Sequence, residues 1–144
     1  MGCDIAEDVT CGLGATVDEL TFTCPLYPSK NQLVAYGYAR TRHFRKRAYE
    51  EKIKWATLEA KIRGRHFLPL ERAHVLIVLH FTVNRRRDVQ NYTSAEWLLD
   101  ALVRFGILAD DSEKCIGTPV VEFGEVDAKR PRCEVTITVE GGDI

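Results

Sequence analysis

The chain has 144 residues, 45% of them hydrophobic and 28% charged, with a formal net charge of −1. That length suits one domain with a real core and is too short for two, and the composition excludes fibrous and intrinsically disordered classes. The near-neutral total hides a segregation: Asp4, Glu7, Asp8, Asp18 and Glu19 make the start acidic, whereas Arg40, Arg42, Arg45, Lys46 and Arg47 make the next section basic, so a polyanion could bind a local patch.

Residues 1–15 carry little pattern and are expected to be an N-terminal extension ahead of a domain spanning 16–144. Their Gly12-x-Gly14 is too common a spacing to mark a phosphate loop, and MGCDIA lacks the Ser or Thr that a myristoylation signal needs at its sixth position. No stretch has the basic start and apolar run of a signal peptide or approaches the ~18 apolar residues of a membrane span. The five cysteines, at 3, 11, 24, 115 and 133, are odd in number and form no C-x-x-C pair. This argues for reduced thiols in a cytoplasmic compartment rather than a zinc site or disulfide framework.

The run VDELTFTCP (17–25) alternates as a strand does, and PLYPSKNQ after it has the Pro, Ser and Asn content of an ordered loop. Between His43 and Arg63, Tyr49, Ile53, Ala56 and Ala60 recur at helical spacing, with Gly64 positioned as a C-terminal cap. HVLIVLHFTV (74–83) is so continuously apolar and β-branched that both faces of the strand should be covered. A second helix is predicted from about Ser94 to Phe105, with Trp97, Leu98, Ala101, Leu102 and Phe105 on one stripe and Gly106 ending it. PVVEFGEV and RCEVTITVE flank DAKRP and read as an antiparallel hairpin. Trp55 and Trp97 are expected in the core, and His74 and His80 at the edges of the apolar strand. The sum is a single compact α+β domain, a mixed β-sheet of about four strands with two packed helices.

Two groups of residues could carry chemistry. Arg85, Arg86, Arg87 and Asp88 lie where the apolar strand ends, and Asp110 with Asp111 follow the second helix. Because the helix between them is short and the chain must turn back, both acidic points can meet at one end of the sheet. Carboxylates within about 4 Å of each other repel unless a cation neutralises them, and hard oxygen ligands of this kind suit Mg²⁺. Arginines beside them would attract a phosphate backbone. Metal-assisted phosphodiester chemistry on nucleic acid is one reading; a solvated surface ion network with an Asp-Asp turn is the other.

Arg87-Asp88-Val89-Gln90-Asn91, then Leu99-Asp100-Ala101-Leu102, Gly106-Ile107-Leu108 and Asp110-Asp111 together resemble the signature R-D-x-D-N, K-x-x-x-D-A-L, a-G, D-D of the RusA family of Holliday-junction resolvases. Pro28-Ser29-Lys30-Asn31 is similar to that family's N-terminal P-P-S-x-N, and the resemblance extends from about Val17 to Glu140. It implies a homodimer that cuts branched DNA, four-way junctions above all, by paired phosphodiester hydrolysis with Mg²⁺ held by clustered aspartates. By position, Asp88 and Asp111 would be the metal-binding and catalytic carboxylates, Asp110 would assist, and Asn91 matches the motif asparagine.

Two positions depart from the family pattern: Gln90 stands where its second aspartate would be, and Glu96 where its lysine would be. An amide oxygen holds Mg²⁺ by a dipole only, and a glutamate cannot stabilise charge growing on a phosphate. Either Glu96 supplies the carboxylate that Gln90 lacks, with an arginine of the 85–87 cluster in the cationic role, or the protein is a catalytically impaired junction-binding protein that retains the fold. Glu96 has a structural reading too, since Thr93-Ser94-Ala95-Glu96 spells a capping box. Asp100, one turn further on, reads as an exposed helix aspartate. Arg42, Arg45, Lys46 and Arg47 are candidate DNA-backbone contacts, with His43, Phe44 and Tyr49 offering rings nearby for stacking, and Asn31 joins them through its loop.

Overall fold

The computed structural model describes residues 18–37 and 39–140; the extension expected over 1–15 lies outside them. Four strands, β1 (Glu19–Cys24), β2 (Ala73–His80), β3 (Val120–Phe123) and β4 (Arg132–Val139), form one mixed sheet in the order β1-β4-β2-β3. The helices are α1 (Lys30–Ala35), α2 (Ala39–Gly64), α3 (Glu96–Arg104) and the single turn α4 (Glu113–Ile116). The α+β architecture expected from the sequence is therefore the observed one.

In β1 every second residue is buried, placing Leu20, Phe22 and Cys24 on one face and Glu19, Thr21 and Thr23 on the other. Register carries that inward face across the sheet. Phe22 pairs with Val135, Val135 with Ile77, and Ile77 with Val121, and all four are buried. The helices cover this face: Tyr49, Ile53 and Ala60 of α2 and Leu98, Ala101 and Leu102 of α3 belong to the same core. Cys24 and Cys133 face each other within it as free thiols. Contact with Cys24 and burial push the Cys133 thiol far above its usual range, so that sulfur is not a nucleophile at neutral pH.

Several expectations change. The last two strands do not form a hairpin: β3 lies parallel to β2, and β4 runs antiparallel to both β1 and β2, with β2 between it and β3. The most apolar strand takes an interior position where both of its edges are hydrogen-bonded, and that removes β3 from β4's side. Only one face of β2 is fully covered, because Leu76 and Val78 on the other face are half-buried. Trp55 is 69% exposed. Two residues beyond Ile53 is about 200° around a helix, so the ring points away from the sheet. The PLYPSKNQ loop contains α1, which begins once Pro28 is passed. Ser29 Oγ accepts from Gln32 N at 3.1 Å and Gln32 Oε1 accepts from Ser29 N at 2.8 Å, a reciprocal capping box. α2 is closed not by Gly64, its last residue, but by Arg65 at φ +60°, with His66 N donating to Lys61 O at 3.0 Å. Gly106, at φ +79°, closes α3 as expected.

His80 sits at the end of β2 with its Nδ1 2.8 Å from the Glu125 carbonyl and its Nε2 3.2 Å from Glu134 Oε1. The chain reaches Glu125 by crossing over this ring at Gly124. A Cβ there would lie 2.5 Å from His80 Cε1 and 2.7 Å from Val78 Cγ1. Gly124→Ala is thus expected to displace His80 and lower unfolding stability by about 1–3 kcal/mol, the usual cost of overpacking. Chemical denaturation measures this, and an unchanged midpoint would contradict it.

Candidate nucleic-acid interface

β2 ends at His80, and the chain then passes through Arg85, Arg86 and Arg87 into a short 3-10 turn, Val89–Asn91. Asp88 caps that turn: its Oδ1 accepts from Gln90 N at 3.0 Å. The aspartate therefore holds a backbone N–H and none of the three arginines. Among the described residues, none of Arg85, Arg86 and Arg87 pairs with a carboxylate. Arg85 and Arg86 are exposed, while Arg87 donates to the Val83 carbonyl at 3.1 Å and lies over the Phe81 ring, 3.9 Å from its centroid. Asn91 ties this loop to α1, its Oδ1 accepting from Asn31 N at 3.3 Å. The result is a cleft of about 530 Å³ containing Asn31, Asp88 and the three arginines. Unpaired guanidinium groups around one carboxylate leave net positive charge facing solvent, an anion-binding arrangement.

The other acidic residues lie along α3, where they meet α2. Arg42 approaches Glu96 at 3.5 Å, Lys46 reaches Asp100 at 2.6 Å, and Glu50 faces Arg104 at 3.8 Å. Positions 42, 46 and 50 are spaced by four, as are 96, 100 and 104, so each helix presents one row of charge to the other. The sign reverses at the third rung. Glu50, only 5% exposed, is the most deeply buried of the six, and an unpaired carboxylate there would be costly. The ladder accounts for two cations that the sequence offered to DNA, Arg42 and Lys46. Arg45 instead lies over the Tyr36 ring, 4.6 Å from its centroid. Arg47 opens onto a separate shallow cleft with His43, Glu51 and Lys54.

Glu96 is correspondingly not part of a capping box. α3 begins at Glu96 itself, its cap is Ala95 in the left-handed region at φ 45°, and no side chain caps it; Thr93 Oγ1 donates to the Gln90 carbonyl at 3.1 Å instead. Asp100 is half-buried and ion-paired rather than a freely exposed helix aspartate. Asp111 follows in the loop before α4. Partial burial, then the charge and contact of Asp100, then the charge of Asp110 push its carboxyl above the usual aspartate range. Asp88 is not among the groups acting on Asp111. Among the described residues no three His, Cys, Asp or Glu side chains gather as a metal cage. Mg²⁺ commonly takes only one or two carboxylates and completes its shell with water and phosphate oxygens; of the close pair Asp100–Asp111, Asp100 already has Lys46 at 2.6 Å. Gln90 is exposed beside Asp88.

The repulsion at Asp111 has a stability consequence. A carboxyl whose pKa is higher in the folded than in the unfolded state contributes stability at low pH that is lost as pH rises through the folded pKa. Charged Asp111 therefore opposes folding at neutral pH, and Asp111→Asn should raise the denaturation midpoint slightly at pH 7, the effect limited by solvent screening. The gain should shrink as pH falls through the folded pKa and vanish below about pH 3, where the side chain is protonated in both states. An Asn variant less stable than the parent at pH 7 would contradict this.

No family model matches this chain, and no similar protein is found among curated sequences.

Proposed function

We propose that the protein is a RusA-like, Mg²⁺-dependent, structure-specific endodeoxyribonuclease acting on branched DNA. The observation that carries this reading is the loop after β2, where Arg85 and Arg86 stand exposed beside Asp88 with no carboxylate partner. In a solvated ion network the aspartate would pair with its neighbouring arginines; here it accepts from a backbone N–H and leaves them for an outside anion. A phosphodiester backbone is the anion that fits a row of such groups. The RusA resemblance assigns Asp88 and Asp111 to Mg²⁺, with Asp110 beside Asp111; of these three, Asp88 is the one that lines the arginine cleft. Bound there, the ion would activate water and offset charge on the phosphate. Arg85, Arg86 and Arg87 bind and orient the strand, and Asn31 with Asn91 fixes the loop that carries them. Glu96 is assigned to the helix ladder rather than to the metal. Two-fold symmetric nicking of a four-way junction calls for a homodimer, and the three buried free thiols Cys24, Cys115 and Cys133 suit a reducing, cytoplasmic setting. Among the described residues no helix is long and apolar enough to cross a membrane.

A second reading, a junction-binding protein without catalysis, is favoured by one specific observation. Gln90 brings no charge to the cleft, and Glu96 and Asp100 are engaged by Arg42 and Lys46, so neither is free to replace it. The two readings separate by mutation. For the nuclease, Asp88→Asn abolishes cutting of a synthetic four-way junction while leaving its mobility shift largely intact, and Gln90→Asp raises the nicking rate. For the binding protein, none of the three forms nicks. Undiminished cleavage by Asp88→Asn would remove the proposed mechanism.

A further inference from the structure

Next to the Asp88 cleft lies a second cavity of about 430 Å³ whose lining includes six aromatic rings. One wall is built by Tyr36, Trp97 and Tyr49, with ring centroids 5.8 Å and 6.0 Å from that of Trp97. The other comprises Tyr27, Tyr92 and Phe81, with centroids 6.3 Å and 5.4 Å from that of Tyr92. These six rings come from the end of α1, from α2 and α3 and from the loops after β1 and β2, so the cavity is where the separate layers of the fold meet. Tyr27, Tyr49 and Trp97 are nearly fully buried, which makes the walls rigid; Tyr36, Phe81 and Tyr92 are half-buried and keep ring surface toward the opening.

The charges around the rings are of one sign. Arg45, Lys52, Arg85 and Arg87 line the cavity, and no aspartate or glutamate does. Arg45 lies over the Tyr36 ring and Arg87 over the Phe81 ring, so each aromatic wall carries a guanidinium group, a kind of group on which bases also stack. Gln32 adds a polar edge. Its Oε1 is held by Ser29 N, and its amide nitrogen has no protein partner among the described residues. Gln32, Arg85, Arg87 and Tyr92 line this cavity and the Asp88 cleft alike, so the two form one continuous surface.

A cavity of this size is within the range of small-ligand sites, and its chemistry selects a flat aromatic body carrying negative charge. We infer that it receives one unpaired nucleotide of a DNA strand, its base stacked against the half-buried rings and its phosphate held by Arg85, so that the strand continues into the cleft of Asp88. Paired bases within a duplex cannot reach such a cavity, whereas a base at a strand exchange or single-stranded flank can. The cavity would thus let the protein sense a branch point by a mechanism separate from cutting. The inference rests on the nucleic-acid reading above but not on catalysis.

The test compares binding of the full chain to a five-nucleotide thymidine strand and to the same strand with every base replaced by an abasic spacer, at equal salt, with a four-way junction titrated in parallel. Stacking of even one base should make the thymidine strand bind roughly ten-fold more tightly. Tyr36→Ala should bring the two strands to within about two-fold, and Tyr36→Phe, which keeps the ring, should restore the difference. If the junction binds but the two strands bind alike, the cavity inference fails while the nucleic-acid reading stands. If neither strand nor junction binds, both fail. Should free thymidine 5′-phosphate displace the strand at equal concentration, the cavity belongs to a free nucleotide and the strand assignment is overturned. The wild-type comparison needs no variant, so a misfolded Tyr36→Ala does not rescue the inference.

Discussion

The charge ladder between α2 and α3 is the constraint from which the chemistry of this molecule follows. Arg42–Glu96, Lys46–Asp100 and Arg104–Glu50 pair six charges across one helix interface. It aligns a short helix on a long one at fixed register, because a slip of one turn, four residues, would set Lys46 against Arg104 or Glu50 against Asp100. Individually, the two partly exposed rungs are worth little. The buried rung matters more, since losing Arg104 would strand a carboxylate in the core. By fixing α3, the ladder also fixes Trp97 in the aromatic wall and Asp111 beside Asp100. It further determines which charges remain for a ligand. Once Arg42 and Lys46 are engaged by α3 and Arg45 by Tyr36, the unpaired cations at the cleft are those after β2.

Much of the fold was legible because periodicity reports burial directly. The alternation of β1, the apolar run of β2 and the stripe of α3 all appear where the residues imply them. The failures share a cause, which is that local pattern does not specify non-local partners. Two strands joined by a short polar turn usually pair, yet β3 and β4 do not, because β2 gains more by occupying the position between them with both edges bonded. Trp55 looks like core by residue type, yet its angle from Ile53 on the helix turns it outward. Gly64 looks like a cap by residue type as well, yet it is Arg65 that adopts the left-handed conformation, at some cost in strain.

At the candidate site, the residues were legible and their partners were not. The arginines beside Asp88 are plain in the sequence, but nothing in it shows that the aspartate turns to Gln90 N instead of pairing with them. The capping-box spelling at Thr93–Glu96 was sound local chemistry overridden by a contact fifty-four residues away in sequence, Arg42 with Glu96. The aromatic cavity was invisible for the same reason. Its six rings lie in five separate stretches of chain, and each ring alone reads as core.

The resulting account assigns one continuous surface, aromatic at one end and cationic around a single aspartate at the other, to a branched nucleic acid. Its most direct test is incubation of the wild-type protein with a synthetic four-way junction, once with Mg²⁺ and once with a chelator, scored for both mobility shift and strand nicking. The account predicts a salt-sensitive shift under both conditions and paired nicks only with Mg²⁺. A protein that neither shifts the junction in preference to linear duplex nor nicks it would contradict the account at its base.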